Sequence, residues 1–234
     1  MADTHGNVVH LGERDCSIQR NNQKIIEEAP CIAITDKVRN KMGEIVVKAA
    51  KSIGYTNAGT MEFLLDKDKN FYFMEMNTRI QVEHPITEMI TDVDIIKEQI
   101  RIANGEKISF KQNDITFKGH SIECRINAEN PGKNFMPTTH GVVEELHMPG
   151  GKDIRLDTGL YTRCKIPHTY DSMVAKLIVY DKTRSEAIAK MKSALSELVI
   201  DGIQTNIDFL FRILNTADYE KDNFDTAFIE KIAM

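Results

Sequence analysis

The residues with most chemistry in this 234-residue sequence cluster in one short window. Glu62 and Glu75 lie on two apolar, strand-like runs, 58–66 and 70–77, joined by the polar turn Asp66-Lys67-Asp68-Lys69-Asn70. Centring that turn on Asp68-Lys69 makes the two glutamates direct cross-strand neighbours, and alternation puts Asn77 on the same face as Glu75. Like charges opposite one another destabilise a sheet, and half-burial of the ribbon sharpens the repulsion or forces a proton onto one carboxylate. A divalent cation between them reverses the sign of the interaction. Oxygen ligands from Glu62, Glu75 and Asn77 suit magnesium or manganese, which keep several waters and share their shell with substrate phosphates. The alternative is that both glutamates face solvent on an open sheet face, with Lys67 or Lys69 nearby.

The next run, Asn77-Thr78-Arg79-Ile80-Gln81-Val82-Glu83-His84-Pro85, packs amides, a guanidinium, a carboxylate and an imidazole together with few apolar side chains. If it is extended, Asn77, Arg79, Gln81 and Glu83 line one side. Arg79 and Gln81 can then hold a small planar oxyanion by charge-assisted hydrogen bonds, and Glu83 can take its proton as general base. His84-Pro85 should end the segment, with His84 biased toward extended geometry. A solvated polar loop is the alternative, but it leaves the acid pair upstream unexplained. A third polar row falls on 120–127, where Ile122, Cys124 and Ile126 alternate with Ser121, Glu123, Arg125 and Asn127. Either Arg125 is presented for function or the strand is ordinarily amphipathic.

These groups need a scaffold, and periodicity outlines one in two halves. In the first, 7–11 is strand-like, and Thr35 caps a helix carrying Val38, Met42, Ile45, Val46, Ala49 and Ile53 until Gly54 stops it. Asp92 or Asp94 opens a second helix through Ile95, Ile96, Gln99 and Ile102, closed by Asn104-Gly105. The weakly periodic stretch 106–118 is the candidate boundary. Beyond it, strands are expected near 120–127, 141–147 and 173–180, followed by helices opening at Thr183 or Ser185 and spanning 205–214 and 226–232. Strands followed by helices in each half indicate an α+β fold rather than a doubly wound sheet. The sequence contains neither G-x-G-x-x-G nor G-x-x-x-x-G-K-[ST], so a bound nucleotide would need a different cradle.

Composition excludes several classes. With 41% hydrophobic residues the chain can bury a core, which rules out a disordered segment or a small disulfide scaffold. A formal charge of −5 gives no general attraction for nucleic acid or an anionic membrane. Apolar runs such as Leu177-Ile178-Val179-Tyr180 fall far short of the ~20 residues that span a bilayer. The first residues lack a secretory pattern, so a cytosolic, cytoplasmic location is expected. Cys16, Cys31, Cys124 and Cys164 are widely spaced, which suits reduced buried thiols better than zinc or disulfides.

Taken together, these stretches resemble biotin carboxylase, the ATP-grasp component of acetyl-CoA carboxylase and its relatives. The resemblance rests on Glu13-Arg14-Asp15-Cys16-Ser17-Ile18-Gln19-Arg20, Gln23-Lys24, Glu27-Glu28-Ala29-Pro30, Gly59-Thr60-Met61-Glu62-Phe63, the run from Phe73 through Pro85, Glu123-Cys124-Arg125-Ile126-Asn127-Ala128-Glu129 and Tyr170-Asp171-Ser172-Met173. It implies the C-terminal half of an ATP-grasp domain, 1–112, followed by the biotin carboxylase C-terminal domain, 113–234. It also implies a ligase in which ATP and bicarbonate form carboxyphosphate, which carboxylates carrier-linked biotin. On that resemblance Glu62, Glu75 and Asn77 would carry Mg2+ or Mn2+; Arg79, Gln81 and the Val82 N–H would hold bicarbonate; and Glu83 would be the base. Arg125 would stabilise the biotin enolate, Lys24 would add positive charge, and Gln19 and Asn22 would lie by the nucleotide.

The partners implied are a biotin carboxyl carrier protein or domain, a carboxyltransferase component and a second copy in a homodimer. Acetyl-CoA carboxylase, and so fatty acid biosynthesis, is the expected setting. Asn22 departs from a histidine in the family, and Lys152 from an aromatic residue at the family dimer surface, where Arg155 is retained. The family's N-terminal nucleotide fold and glycine-rich lid have no counterpart in the sequence, so these residues alone are expected to be inactive. Two other readings stay open: a non-catalytic truncated module that self-associates, and another bicarbonate-using ATP-grasp ligase such as a carbamoyl-phosphate-forming enzyme.

Overall fold

The computed structural model describes residues 1–138, 140–167 and 169–232. In chain order the first elements are β1 (Asp15–Arg20), β2 (Gln23–Ala29), α1 (Asp36–Ser52), β3 (Thr60–Leu65), β4 (Phe71–Asn77), α2 (His84–Thr91) and α3 (Ile95–Ala103). There follow β5 (His120–Asn127), β6 (Glu129–Asn130), β7 (Met136–Pro137), β8 (Leu146–His147), β9 (Ile154–Thr158) and β10 (Met173–Asp181). The chain ends with α4 (Arg184–Glu197), β11 (Val199–Ile200), α5 (Ile207–Leu214), α6 (Ala217–Glu220) and α7 (Phe228–Ile232). The mixed architecture is the α+β class expected. Two compact units form: one from Met1–Arg14 with Ala29–Lys118, the other from Asp15–Glu28 with Gly119–Met234.

The first unit is built from α1, the β3–β4 ribbon, α2 and α3. Thr35 caps α1 by accepting from the Val38 N–H, and Asp94 caps α3 by accepting from the Lys97 N–H, as the sequence indicates. The apolar stripe expected on α1 is only partly buried: Ile45 and Ile53 are 42% and 63% exposed, while Gly43 and Ala50 are buried. At Gly43 the His10 ring approaches so closely that a Cβ would lie 2.4 Å from Nε2. Residues 7–11 are not a strand, because a side chain takes the place of a ladder. Gln112 accepts from the His10 N–H at 3.0 Å and donates to the His10 carbonyl at 3.0 Å. The Ala2–Val8 pairing there is an isolated bridge.

The second unit is organised around a five-stranded sheet in the order β1-β2-β5-β10-β9. β5 and β10 pair antiparallel and supply Ile122, Cys124, Ile126, Leu177 and Val179 to the core, against Ile188, Met191 and Leu195 of α4 and Leu210 and Ile213 of α5. The β1–β2 hairpin is absent from the sequence expectation. Arg20 pairs with Gln23, and the two residues between, Asn21 and Asn22, sit at φ 50° and 62°. Two positive φ values define a primed two-residue turn, and asparagine tolerates that region better than other non-glycine residues. Of the strand expected over 141–147, only β8 and an isolated Val142–Lys165 bridge form. β9 and α6 were not anticipated either.

Two adjacent acidic residues of β2 are buried in this unit. Glu28 accepts from Arg184 Nε at 2.7 Å and Nη2 at 2.9 Å, and lies 2.8 Å from His120 Nε2. The Arg184 guanidinium in turn stacks 4.8 Å over the Tyr219 ring. Burial alone would raise the Glu28 pKa, but the hydrogen bonds from His120 and Arg184 and their charges outweigh it and hold it at about 2. A carboxyl depressed in the folded state stabilises the protein above its unfolded pKa, and that stability is lost as pH falls toward the folded value. Urea midpoints should therefore drop between about pH 4.5 and about pH 2 in the unaltered protein. Glu28→Gln should lose about 3–5 kcal/mol near neutrality and show a flatter acid limb. Equal slopes in the two proteins would contradict this origin. At the hairpin tip, Asn22→Val should cost roughly 1–2 kcal/mol and Asn22→Gly much less, read from the same midpoints.

Candidate functional site in the acidic ribbon

β3 and β4 pair antiparallel with Thr60 opposite Asn77, Met61 opposite Met76 and Glu62 opposite Glu75. Beyond Glu62 the register shifts by one, so that Phe63 faces Phe73 and Leu65 faces Phe71. The turn is one residue tighter than the sequence reading placed it. Asp66 fixes it by accepting from the Asn70 N–H at 2.8 Å, with Lys69 at φ 63°. In that inner register Glu62 would face Met74. The β-bulge at Met74 restores the pairing of the two glutamates, in keeping with the use of bulges to re-aim side chains.

The ribbon is more open than half-burial implies. Tyr72, Phe73 and Met74 are 57%, 60% and 53% exposed, Glu75 is exposed and Glu62 half-buried. Desolvation therefore does not sharpen the repulsion as expected. Amide groups offset it: Asn77 Nδ2 donates to Glu62 Oε1 at 3.2 Å and to Glu75 Oε1 at 2.9 Å, and Gln81 Nε2 donates to Glu62 Oε1 at 2.6 Å. Two carboxylates thus converge on one electropositive NH2 edge. The two carboxylates are the oxygen ligands that magnesium and manganese take, and the Asn77 amide oxygen would join them once the amide turns over.

The run after Asn77 is not extended. It bends at Arg79, turns at Val82 and Glu83, and enters α2 at His84 with Pro85 in the first turn. Proline costs nothing there because the first N–H groups of a helix have no intrahelical acceptor, so His84 is helical despite the proline that follows. Its ring Nδ1 lies 2.8 Å from the Gln81 carbonyl. Arg79, Gln81 and Glu83 consequently do not share one side. Arg79 is exposed and donates to the Ile80 carbonyl at 2.9 Å, Gln81 turns toward the acid pair, Val82 is half-buried, and Glu83 is 1% exposed.

The remaining candidates belong to the second unit. Gln19 and Lys24 are cross-strand partners in the β1–β2 hairpin, Gln19 donating to the Cys16 carbonyl at 2.7 Å, and Asn22 occupies the turn. On β5 both rows are covered: Ser121 and Glu123 are buried as fully as Ile122 and Cys124, Asn127 is buried too, and Arg125 is half-buried. Arg125 Nε donates to Glu27 Oε1 at 2.6 Å, and Nη2 lies 2.5 Å from the same oxygen. Glu27 and Arg14 were given no role at the sequence level, although each lies in a stretch that carried the resemblance. Lys152 is exposed, and Arg155 pairs with Asp157 at 2.8 Å. All four cysteines are thiols rather than disulfides, but burial holds only for Cys31 and Cys124; Cys16 and Cys164 are half-buried. Among the described residues no helix is long and apolar enough to cross a membrane.

Comparison with known proteins accounts for nearly the whole chain. Residues 1–111 match a family described as the carbamoyl-phosphate synthase L chain ATP-binding domain, and 123–231 match the biotin carboxylase C-terminal domain. Biotin carboxylase 1 of Bacillus subtilis is 55% identical over 231 residues, covering 98% of this chain and 51% of that protein. A pyruvate carboxylase subunit from Methanothermobacter thermautotrophicus is 53% identical over 99% of this chain and 47% of that protein. The biotin carboxylase domain dimer of Hydrogenobacter thermophilus 2-oxoglutarate carboxylase, solved with MgADP, ADP and bicarbonate, superposes with a TM-score of 0.97 at 52% identity, covering 99% of this chain and 51% of that one. The chain spans about half the length of the curated relatives it matches. With an ATP-grasp portion carrying the acid pair and a matching C-terminal domain, the chain belongs to the biotin carboxylase family.

Proposed function

We propose that this chain is the C-terminal portion of a biotin carboxylase that uses ATP and bicarbonate to carboxylate carrier-linked biotin. The observation that carries this reading is the ribbon on which Glu62 and Glu75 face one another across Asn77, continuing into Gln81. A divalent cation, Mg2+ or Mn2+, on these carboxylates would offset charge on the phosphoryl group in transfer.

Arg79, Gln81 and the Val82 N–H are assigned to bicarbonate, and Glu83 to its proton. Removal of that proton lets a bicarbonate oxygen attack the γ-phosphorus, releasing ADP and giving carboxyphosphate. Arg125 is assigned to the negative charge that develops on the ureido oxygen when biotin N1 loses its proton, Lys24 to further positive charge, and Gln19 and Asn22 to the nucleotide. Relatives support the two substrates and magnesium: one solved neighbour carries MgADP and bicarbonate. The same neighbour is a domain dimer, which supports a homodimer.

We assign the parent protein to a cytoplasmic acetyl-CoA carboxylase of fatty acid biosynthesis, working with a biotin carboxyl carrier protein or domain and a carboxyltransferase component. Relatives named for pyruvate and 2-oxoglutarate carboxylation define the competing acceptors. A carbamoyl-phosphate-forming ligase is the second reading, favoured by the description of the match over 1–111. The match over 123–231 weighs against it.

The 234 residues by themselves should show negligible bicarbonate-dependent ADP formation with free biotin; turnover comparable to an intact biotin carboxylase would overturn that expectation. Supplying the N-terminal half of the Bacillus subtilis relative in trans should restore turnover, whereas no rescue would favour a non-catalytic, self-associating module. In the rescued enzyme Glu83→Gln should lower turnover by about 10²–10⁴-fold. An unchanged rate would remove Glu83 from the mechanism.

A further inference from the structure

Arg14 has no part in the assignments above, yet its guanidinium reaches three side chains of the first unit. Nη1 donates to Thr87 Oγ1 of α2 at 2.9 Å, while Nη2 donates to Thr60 Oγ1 of β3 at 3.2 Å and to Gln81 Oε1 at 2.5 Å. Arginine presents its donors in a rigid plane, so acceptors on both terminal nitrogens fix an orientation as well as a position. Gln81 is the member of this set that also touches the acid pair.

A carboxamide has one accepting end and one donating end. With Oε1 committed to Arg14, the Gln81 NH2 must point the other way, where Glu62 Oε1 receives it at 2.6 Å. Rotating the amide by half a turn would set NH2 against a guanidinium and a carbonyl against a carboxylate, replacing two hydrogen bonds by two repulsive contacts. We propose that Arg14 is a positioning residue: it locks the Gln81 amide in one orientation and, through Gln81, holds the Glu62 carboxylate in place opposite Glu75. Its functional weight rests on the reading of Gln81 as an oxyanion holder and Glu62 as a cation ligand. Arg14 also leaves a positive charge one amide away from Glu62, where it stabilises the carboxylate without occupying the position of a cation.

The test uses the 15N-labelled 234-residue chain, with the Gln81 side-chain amide assigned by its loss in Gln81→Glu. In the unaltered protein its protons should exchange slowly with water. Arg14→Lys keeps the charge but cannot present the planar fork, and should accelerate that exchange by about tenfold or more. The Gln99 side-chain amide, which donates to Asn57 Oδ1 at 2.8 Å in the first unit, should not change and reports the folding of that unit.

Unchanged Gln81 exchange in a folded Arg14→Lys protein would overturn the proposal. If that variant does not fold, Thr87→Val removes one acceptor with Arg14 in place. A smaller acceleration of Gln81 exchange is then the supporting result, and none the contrary one. Mn2+ titration, followed by water-proton relaxation, separates the two levels. Glu62→Gln should abolish tight Mn2+ binding, and if it does not, the cation reading fails while the exchange result still decides the role of Arg14. Arg14→Lys should weaken Mn2+ binding by about tenfold at constant net charge, and unchanged affinity would overturn the extension from Gln81 to Glu62.

Discussion

Two glutamates placed opposite one another on a β-ribbon repel, and the local structure of the first unit is arranged around that constraint. The bulge at Met74 creates the pairing rather than avoiding it, since the tighter register near the turn would have put a methionine opposite Glu62. What reconciles the carboxylates is a line of neutral donors backed by a cation: Asn77 bridges both, Gln81 takes Glu62, and Arg14 takes Gln81. Amide donors offset the charge without saturating it, because each carboxylate has more acceptor positions than these bonds use. Such a pair is compatible with a folded ribbon, and on the proposed reading it is the site that takes a divalent ion. The exposure of Glu75 keeps the ribbon face accessible.

The second unit treats its acids in the opposite way. Glu27 and Glu28 are consecutive on β2, so they point to opposite faces of the strand, and both are buried. Each is met by an arginine, Glu27 by Arg125 and Glu28 by Arg184. Removing one member of such a pair leaves a buried charge without compensation, which makes these contacts costly to break even where their net contribution is small. Glu28 and Arg184 tie β2 to α4 alongside the apolar core of β5, β10, α4 and α5, whereas Glu27 fixes the guanidinium that the family resemblance assigns to biotin. One strand therefore carries on its two sides a structural ion pair and one that the proposed function places at biotin.

Much of this was legible in the sequence, and the gaps have physical causes. The helix cap Thr35 was readable, and Asp94 and Thr183 each as one of two candidates, because a short oxygen-bearing side chain before an apolar period has few other uses. The opposition of Glu62 and Glu75 was readable from turn symmetry, although the bulge that delivers it was not. The helix beginning at His84 was missed because proline was read as a terminator, when its missing N–H makes it equally suited to a first turn. The Asn21-Asn22 hairpin does carry a local signal, two adjacent residues tolerant of positive φ. The burial of Ser121, Glu123 and Asn127 was not legible, since alternation cannot distinguish a solvated polar face from one covered by the rest of a unit. Arg14 was invisible for a simpler reason: its acceptors lie 46, 67 and 73 residues away along the chain.

The most direct measurement is the anomalous scattering of Mn2+ in crystals of this chain grown with the ion and a nucleotide. The expected result is a peak between Glu62 and Glu75 with carboxylate oxygens at about 2.0–2.2 Å, the span in which small divalent ions of this kind bind oxygen. A fully occupied Mn2+ site elsewhere, with the two carboxylates still bridged by Asn77 alone, would contradict the central claim that the acid pair is a cation site.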